Sequence, residues 1–229
     1  MRRICRYLPL FVLPLVCLQF ANAQSGIDFG VGFGGVAAPA AKTGLDNALN
    51  PCTLGTVGCQ STPSLSSFVI GVDGDLMLWK HFGVGGEVNF QPSKKDYVIL
   101  TQQSSGAGGP AFTEKLQSRL TLYDFNGIVQ PIKTKFASVK ISGGIGGANV
   151  KFYDSGSSTS GLLGTQNFSQ YFASTNHFQV HGGVGVQIYP GGHWFIRPEA
   201  DVHFVHNLSQ FGRDTIFRYG VWLGYTFGQ

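Results

Sequence analysis

Charged residues are scarce in this sequence. Asp, Glu, Lys and Arg make up only 12% of its 229 residues, whereas soluble domains carry about 25%. A folded chain with so little charge is not expected to expose most of its outer surface to water. A length of about 200 residues without the N-terminal segment fits one domain.

A long apolar run is also missing. The one candidate, residues 8–20, contains two prolines and is too short for a transmembrane helix. Arg2, Arg3 and Arg6 precede it, and Ala21-Asn22-Ala23 follows as a small-x-small cleavage pattern. Residues 1–23 are therefore predicted to be a secretory signal peptide, with 24–229 as the mature domain. Its removal takes three of the 16 basic residues and none of the 12 acidic ones. The mature chain is then nearly neutral, which argues against a nucleic-acid partner.

Cysteine is rare as well, with four in the chain. Two of them leave with the signal peptide, so that Cys52 and Cys59 remain in one polar, Gly-rich stretch. Because exported proteins meet oxidising conditions, a local disulfide between them is expected. A metal pair is the weaker interpretation, since no histidine lies nearby in the sequence.

No mature segment shows a sustained helical period; apolar residues instead recur at every second position, the period of a β-strand. In residues 195–204, for example, Arg197, Glu199, Asp201 and His203 alternate with apolar residues. The fourth segment is less regular around Leu122, where a bulge is one explanation. The predicted strands lie near 27–35, 68–79, 82–90, 116–129, 139–146, 177–189, 195–206 and 217–227.

The connections alternate in length. Short turns follow strands two, four and six, while long connections near 38–66, 92–115 and 154–175 all fall at the other end. An even number of strands with one tight end and one loop-rich end is typical of a transmembrane β-barrel. We therefore predict an all-β fold, an eight-stranded antiparallel up-and-down transmembrane β-barrel in the outer membrane, without a second domain.

Alternation alone does not say which face is inside, because a soluble lipocalin-like barrel also alternates. Glycine is frequent at the alternate strand positions that carry the polar residues (the polar parity). This suits a narrow eight-stranded lumen with little room for side chains. Aromatic residues such as Trp79, Phe82 and Trp194 lie near strand ends, as in interfacial girdles. The polar face is therefore predicted to line the lumen.

The signal peptide, the eight alternating strands, "FIRPEADVHF" and the closing "GVWLGYTF" resemble the OmpA-like eight-stranded outer-membrane barrels. The resemblance covers about residues 25–229, the barrel alone, so no peptidoglycan-binding domain is expected. It implies that Tyr225 and Phe227, in the last strand, are read by the barrel-assembly machinery. Gly228 and Gln229 follow here, where the family ends on phenylalanine.

Ionisable side chains at the polar positions of the strands are predicted to lie in the lumen. Buried charges are tolerated only when they are paired and hydrogen-bonded. The two signs are nearly balanced, so we expect a charge network that plugs the barrel. At Pro198, which lacks a ladder donor, a bulge or a water molecule is expected. The predicted network consists of Asp73, Asp75, Glu87, Arg119, Lys140, Arg197, Glu199, Asp201, His203 and Arg218.

Catalytic and cofactor motifs are weak. Gly30, Gly32 and Gly35 match G-x-G-x-x-G, but no helix is expected to follow. His206 and Ser209 are spaced unlike the His–Ser pair of outer-membrane lipid A deacylases. A His181–His203 metal pair lacks a spacing signature, and hydrogen bonding within the lumen explains both residues better. No enzyme activity, cofactor or metal is predicted.

Two functions remain open. The first is a non-enzymatic, monomeric surface protein that contacts outer-membrane lipids and presents its loops to an unknown extracellular ligand. The second is a narrow porin-like channel, which the opposed charges in the lumen argue against. A lipid-modifying enzyme is a more distant third.

Overall fold

The structure is a computed structural model that describes residues 26–38, 59–61, 64–103, 111–160, 164–208, 211 and 213–228. Its regular elements are antiparallel strands. None of its helices is long and apolar enough to cross a membrane. The strands are β1 (Ile27–Ala37), β2 (Cys59–Ser61), β3 (Ser67–Met77), β4 (Phe82–Phe90), β5 (Lys95–Gln103), β6 (Ala111–Lys133), β7 (Ala137–Ser160), β8 (Gly164–Gly191), β9 (Trp194–Val205) and β10 (Thr215–Phe227).

Eight of these strands close into a ring. The hydrogen-bonded order is β1–β3–β4–β6–β7–β8–β9–β10, and β10 pairs with β1 from Ile27↔Phe227 to Ala37↔Phe217. The predicted eight-stranded antiparallel up-and-down barrel of the transmembrane type is confirmed. The start of β1 and the end of β10 are at the same level, and both lie with the three short turns at one end of the barrel. We call this the turn end and the opposite one the loop end.

The connections predicted as loops near 92–115 and 154–175 are largely β-structure, so these two predictions were wrong. β5 pairs with residues 111–118 of β6, and β7 pairs with β8 as far as Ser160↔Gly164. β6, β7 and β8 have 23, 24 and 28 residues, whereas a tilted strand crosses a bilayer with about 9–11. These strands therefore continue well beyond the length that a membrane requires.

In the turn-end half of the barrel, apolar side chains face outward and polar side chains face the lumen. On β6 the outward Phe125 is 72% exposed, while its neighbours Asp124 and Asn126 are buried. The same alternation holds along β3, β4, β9 and β10. The outer face of this half is thus an apolar band, as lipid contact requires.

Towards the loop end the two faces exchange polarity. On β7 the outward residues change from Ile141 and Ile145 to Asn149 and Lys151, and the inward residues become Ala148, Val150 and Phe152, which are buried. On β6 the inward row changes from Asp124 to Leu122 and Leu120. We call the level of this exchange the rim. Above it the barrel has the apolar interior and polar exterior of a water-exposed domain.

Two bulges considered from the sequence are absent from the described strands. The inward–outward alternation of β6 runs unbroken from Ser118 to Gln130, so there is no bulge at Leu122; the irregularity in its pairing with β7 lies between Val129 and Ile132. At Pro198 the register with β8 is the same on both sides, Ile196↔Ile188 and Glu199↔Gly185, and only the pairs between them are missing. The proline side chain is outward and exposed.

Two predictions fall on residues whose structure is not described. The signal peptide, residues 1–23, lies outside the described ranges, as does Cys52. Cys59 begins the short strand β2, whose backbone alone is described. Both the signal peptide and the Cys52–Cys59 disulfide remain predictions.

Candidate functional site

The middle of the lumen contains one connected set of ion pairs. The guanidinium of Arg197 contacts Asp73, lies 3.4 Å from an Asp75 oxygen and 2.8 Å from Glu199. Lys140, from the opposite wall, lies 2.5 Å from Asp75 and 3.8 Å from Asp73. Side chains of β3, β7 and β9 thus meet across the lumen.

A second cation extends the set. Arg218 lies 2.9 Å from Glu87 and 2.6 Å from Glu199, and it also contacts Asp201. Because Glu199 contacts both guanidinium groups, the pairs form one cluster, which we call the ionic network. Its members are Asp73, Asp75, Glu87, Lys140, Arg197, Glu199, Asp201 and Arg218.

Two residues of the predicted charge network are not members of the ionic network. Arg119 is above the rim, where its guanidinium donates to the Pro92 carbonyl oxygen. His203 lies in the lumen next to the ionic network, 3.9 Å from Asp124. Asp124 and Asp28 were not in the predicted set, although both have the polar parity of their strands and are buried. With them, the carboxyl groups outnumber the basic side chains.

Trp222 lies within the network although it is apolar. Its ring is fully buried between the guanidinium groups of Arg197 and Arg218, at 5.5 and 5.3 Å from the ring centroid. The inward positions opposite are Gly32 and Gly71, where a Cβ atom would approach the indole to 2.7 Å. These glycines make the space that the ring fills, and the cation–π contacts help to hold the two arginines.

Between the ionic network and the rim is a layer of neutral polar and histidine side chains. His181 pairs directly with His203 across β8 and β9, and their rings stack with centroids 5.1 Å apart. His181 bonds Asn126 at 2.7 Å, and Gln179 donates to Asp124 at 2.8 Å. Both bonds reach across β7, where Gly144 and Gly146 have no side chain to intervene.

Above the rim the interior is apolar. Phe152 and Phe211 stack with centroids 6.3 Å apart, and Leu65 and Leu208, from outside the barrel strands, are fully buried. We call this cluster the apolar cap, because it closes the loop end of the lumen. Its buried members are Val36, Ala38, Leu65, Val69, Leu120, Leu122, Ala148, Val150, Phe152, Val205, Leu208, Phe211 and Ile216.

The turn end is closed by aromatic contacts. Tyr189 and Phe195 pack edge to face at 6.4 Å inside the barrel. Outside, Tyr225 contacts Trp194 at 5.3 Å and Phe227 at 4.7 Å. Tyr225 and Phe227 therefore belong to an aromatic girdle at the turn end, and their role as an assembly signal remains a prediction.

The chain is similar in fold to several proteins of known structure. No protein-family model and no curated protein matches the chain. Similar solved structures are outer-membrane β-barrels. The attachment invasion locus protein Ail of Yersinia pestis is 11% identical, covering 89% of this chain and 99% of that one, with a TM-score of 0.45. The N-terminal barrel of Pseudomonas aeruginosa OprF is 10% identical, covering 90% of this chain and 98% of that one, with a TM-score of 0.45. Neisserial surface protein A is 8% identical, covering 90% of this chain and 98% of that one, with a TM-score of 0.35. At these TM-scores the likenesses carry no argument about function.

Proposed function

We propose that this chain is a non-enzymatic integral protein of the outer membrane that holds a folded β-structure outside the bilayer for contact with another molecule. The observation that carries the proposal is the exchange of polarity at the rim. Below it, outward side chains such as Phe125 and Ile145 are apolar; above it, outward Asn149 and Lys151 are polar over an apolar core. A strand that crosses from lipid into water requires this exchange, because each solvent selects the side chains of the outer face.

The packing of the lumen argues against the alternative of a narrow pore. A water-filled channel leaves its lining accessible to solvent, but Arg197, His203 and Trp222 are each 0% exposed. Above them the apolar cap adds a layer of buried hydrophobic side chains. An ion would have to pass through both the buried lumen residues and the apolar cap. We therefore expect the barrel to hold the protein in the membrane and not to conduct ions.

The part above the rim offers a surface for a partner. Residues 166–176 of β8 pair with β7 on one side, whereas pairing with β9 on the other side begins only at Gln179. This segment contains no Asp, Glu, Lys or Arg and exposes Phe168, Tyr171 and Phe172. Exposed aromatic residues on a strand edge that pairs with no other described strand are typical of interaction surfaces. The partner's identity is open.

Cysteine labelling on intact cells tests the membrane placement. Lys151→Cys, outward above the rim, is expected to react with a membrane-impermeant maleimide, while Ile145→Cys, on the same strand below it, is not. The unsubstituted chain is the control for Cys52 and Cys59. Recovery of the protein in the soluble periplasmic fraction, or equal labelling of both variants, would contradict the proposal.

Conductance in planar bilayers tests the closed lumen. Purified protein is expected to give no discrete current steps. If steps appear, the narrow-pore alternative replaces the anchoring role.

A further inference from the structure

The layer under the apolar cap brings together three residues of metal-binding type. Asp124, His181 and His203 are all buried, and one ligand atom from each lies within 4.8 Å of the others. The His203 Nδ1 atom is 3.9 Å from the Asp124 Oδ2 atom. Strand register fixes this grouping, because His181 pairs with His203 and because Gly144 and Gly146 open the space towards β6.

Neighbouring side chains already orient two of these groups. The Asn126 oxygen accepts a hydrogen bond from His181 Nε2, so the hydrogen is on Nε2 and the lone pair is on Nδ1. Gln179 donates to Asp124 Oδ1, which leaves Oδ2 for another contact. Metal sites use such outer contacts to fix the tautomer and the orientation of their ligands.

The polar atoms of these three residues that make no hydrogen bond are those that could coordinate a metal ion. His181 Nδ1, Asp124 Oδ2 and both ring nitrogens of His203 are buried and have no hydrogen-bond partner among the described residues. A buried polar group without a partner destabilises the folded state. Unpartnered polar atoms that converge from three strands are therefore the arrangement that a bound ion would satisfy.

The charge of the lumen also favours a cation. Among the described residues, the buried basic side chains are Lys140, Arg197 and Arg218, whereas seven carboxyl groups are buried. A surplus of carboxylates in a dry interior must be neutralised by protons or by a bound cation. The buried carboxyl groups are Asp28, Asp73, Asp75, Glu87, Asp124, Glu199 and Asp201.

We propose that Asp124, His181 and His203 bind one divalent transition-metal ion of the Zn²⁺ type inside the lumen. Zinc takes imidazole nitrogen at about 2.0–2.1 Å and carboxylate oxygen at about 2.0–2.2 Å in a tetrahedron. Its ligand atoms are then about 3.3–3.4 Å apart. The His203–Asp124 pair at 3.9 Å has to close by about half an ångström, and no pair, all being within 4.8 Å, by more than about 1.5 Å. Ca²⁺ and Mg²⁺ prefer all-oxygen sites and fit this donor set poorly.

Refolding with and without metal tests the site directly. Since the apolar cap and the aromatic layer at the turn end close the lumen, the ion is expected to enter as the barrel folds. The protein is refolded from denaturant into detergent micelles with ZnCl₂, CaCl₂ or EDTA, freed of loose metal by gel filtration in EDTA, and assayed for metal by mass spectrometry. One zinc per chain, no retained calcium and a higher unfolding temperature for the zinc form are expected.

Matched variants assign the ligands. Asp124→Asn and His181→Gln, which preserve side-chain size approximately, are expected to lose the retained zinc. Asn126→Leu, which removes only the orienting contact, is expected to weaken zinc binding by roughly 10- to 100-fold. The control is the double variant His177→Gln/His206→Gln, from the loop end outside the cluster, which is expected to keep its zinc.

X-ray absorption on the wild-type zinc form keeps the test decisive if a variant fails to fold. Two imidazoles and no sulfur in the zinc shell are expected. A shell with sulfur at about 2.3 Å would place the ion on Cys52 and Cys59 instead. That result, loss of zinc in the His177/His206 control alone, or no more zinc in wild type than in Asp124→Asn would overturn the proposal. None of these outcomes depends on whether the barrel contacts an external partner.

Discussion

At the scale of single residues, the lumen is filled by opposing the largest side chains to glycine. Trp222 lies against Gly32 and Gly71, and the Phe195 ring lies where a Cβ atom of Gly224 would be, at 2.2 Å. An eight-stranded barrel has little internal width, so a bulky inward group on one strand needs empty inward positions on the strands beside it. Glycine at these inward positions follows from this geometry.

Gly32→Ala is expected to lower the free energy of unfolding by about 1–3 kcal/mol, because its new methyl group overlaps the Trp222 ring. Gly74→Ala is the control: it is also a strand glycine of the barrel, but the nearest atom to its Cβ position is 4.0 Å away. Reversible urea unfolding in lipid vesicles measures both. An equal effect of the two substitutions would contradict the packing described for Trp222.

Arg218 is the residue whose loss should cost most in the ionic network. Arg218→Leu leaves Glu87, Glu199 and Asp201 without their common partner, and breaking such a buried pair typically costs about 3–5 kcal/mol. Arg213→Leu, at an exposed position of the β9–β10 connection, is the same chemical change outside the lumen and should alter stability little. The same unfolding measurement applies. A silent Arg218→Leu would show that the network does not stabilise the barrel.

At the scale of the strand, the outer face of β7 changes from apolar to polar along its length. β7 presents apolar side chains outward below the rim and inward above it, with no break in its pairing at that level. Gly147 is the last outward position before Asn149, and its ladder neighbours are Tyr123 and Phe178. Aromatic side chains at this level are expected at a membrane–water interface.

Arginine placed on either side of the rim should separate the two environments. Ile141→Arg puts a charge into the middle of the apolar band and is expected to cost about 2–4 kcal/mol. Asn149→Arg, eight residues further along β7 on the same face, should change stability by less than about 0.5 kcal/mol. Unfolding from lipid vesicles measures both. Equal costs would mean that the rim is not where the bilayer ends.

The break between β4 and β5 lets the sheet continue above the rim. Gln91 is buried there; its backbone N–H donates to the Leu120 oxygen at 2.9 Å, and its side-chain oxygen accepts from the Leu120 N–H at 3.0 Å. The side chain thus replaces a ladder bond where the strand changes direction. β5 then pairs with β6 from Lys95↔Ser118 to Gln103↔Ala111.

Hydrogen exchange distinguishes this hairpin from a flexible loop. Amides of residues 112–118 should exchange slowly, because they lie between β5 and β7 in a continuous ladder. Gln91→Ala, which removes the bridging amide, should speed exchange there while leaving residues 121–129 protected by β4. Fast exchange over 112–118 in the unsubstituted protein would restore the loop interpretation.

At the scale of the molecule, the barrel is closed in layers from the aromatic groups of the turn end, through the ionic network, to the apolar cap. The charges that solubilise it lie above the rim and at the turns, where Lys133 and Lys135 are found. The low overall charge is thus a consequence of the band between them.

Protease added to intact cells tests the orientation of the whole barrel. Cleavage is expected in the connections at the loop end, 39–58, 104–110 and 161–163, which face outward in the proposed placement. The turn containing Lys133 and Lys135 should be cut only after the outer membrane is opened. Mass spectrometry of the fragments identifies the sites, and cleavage near those lysines in intact cells would reverse the topology.

The amino-acid sequence by itself determined the strands and their faces. Alternation with a period of two is a local property, so the parity of Arg197, Glu199 and Asp201 was readable without any partner, as was the even number of barrel strands. The loop-end hairpins were missed because residues 95–103 and 164–176 show no regular alternation: the first contains four consecutive residues that are apolar or aromatic, 97–100, and the aromatic residues of the second fall on both faces.

Only the tertiary structure decided which inward side chains meet. Asp124 and His181 are 57 positions apart in the chain. They converge because the register across β6, β7 and β8 places Asp124 level with Gln179 and Asn126 level with His181, with only Gly146 and Gly144 between them. Register depends on hydrogen bonding between strands that are distant in sequence. It therefore cannot be read from the residues of one strand alone. The exchange of polarity at the rim was likewise not recognised: the irregular period around Leu122 suggested a bulge, whereas the closed barrel places Leu120 and Leu122 in the apolar cap.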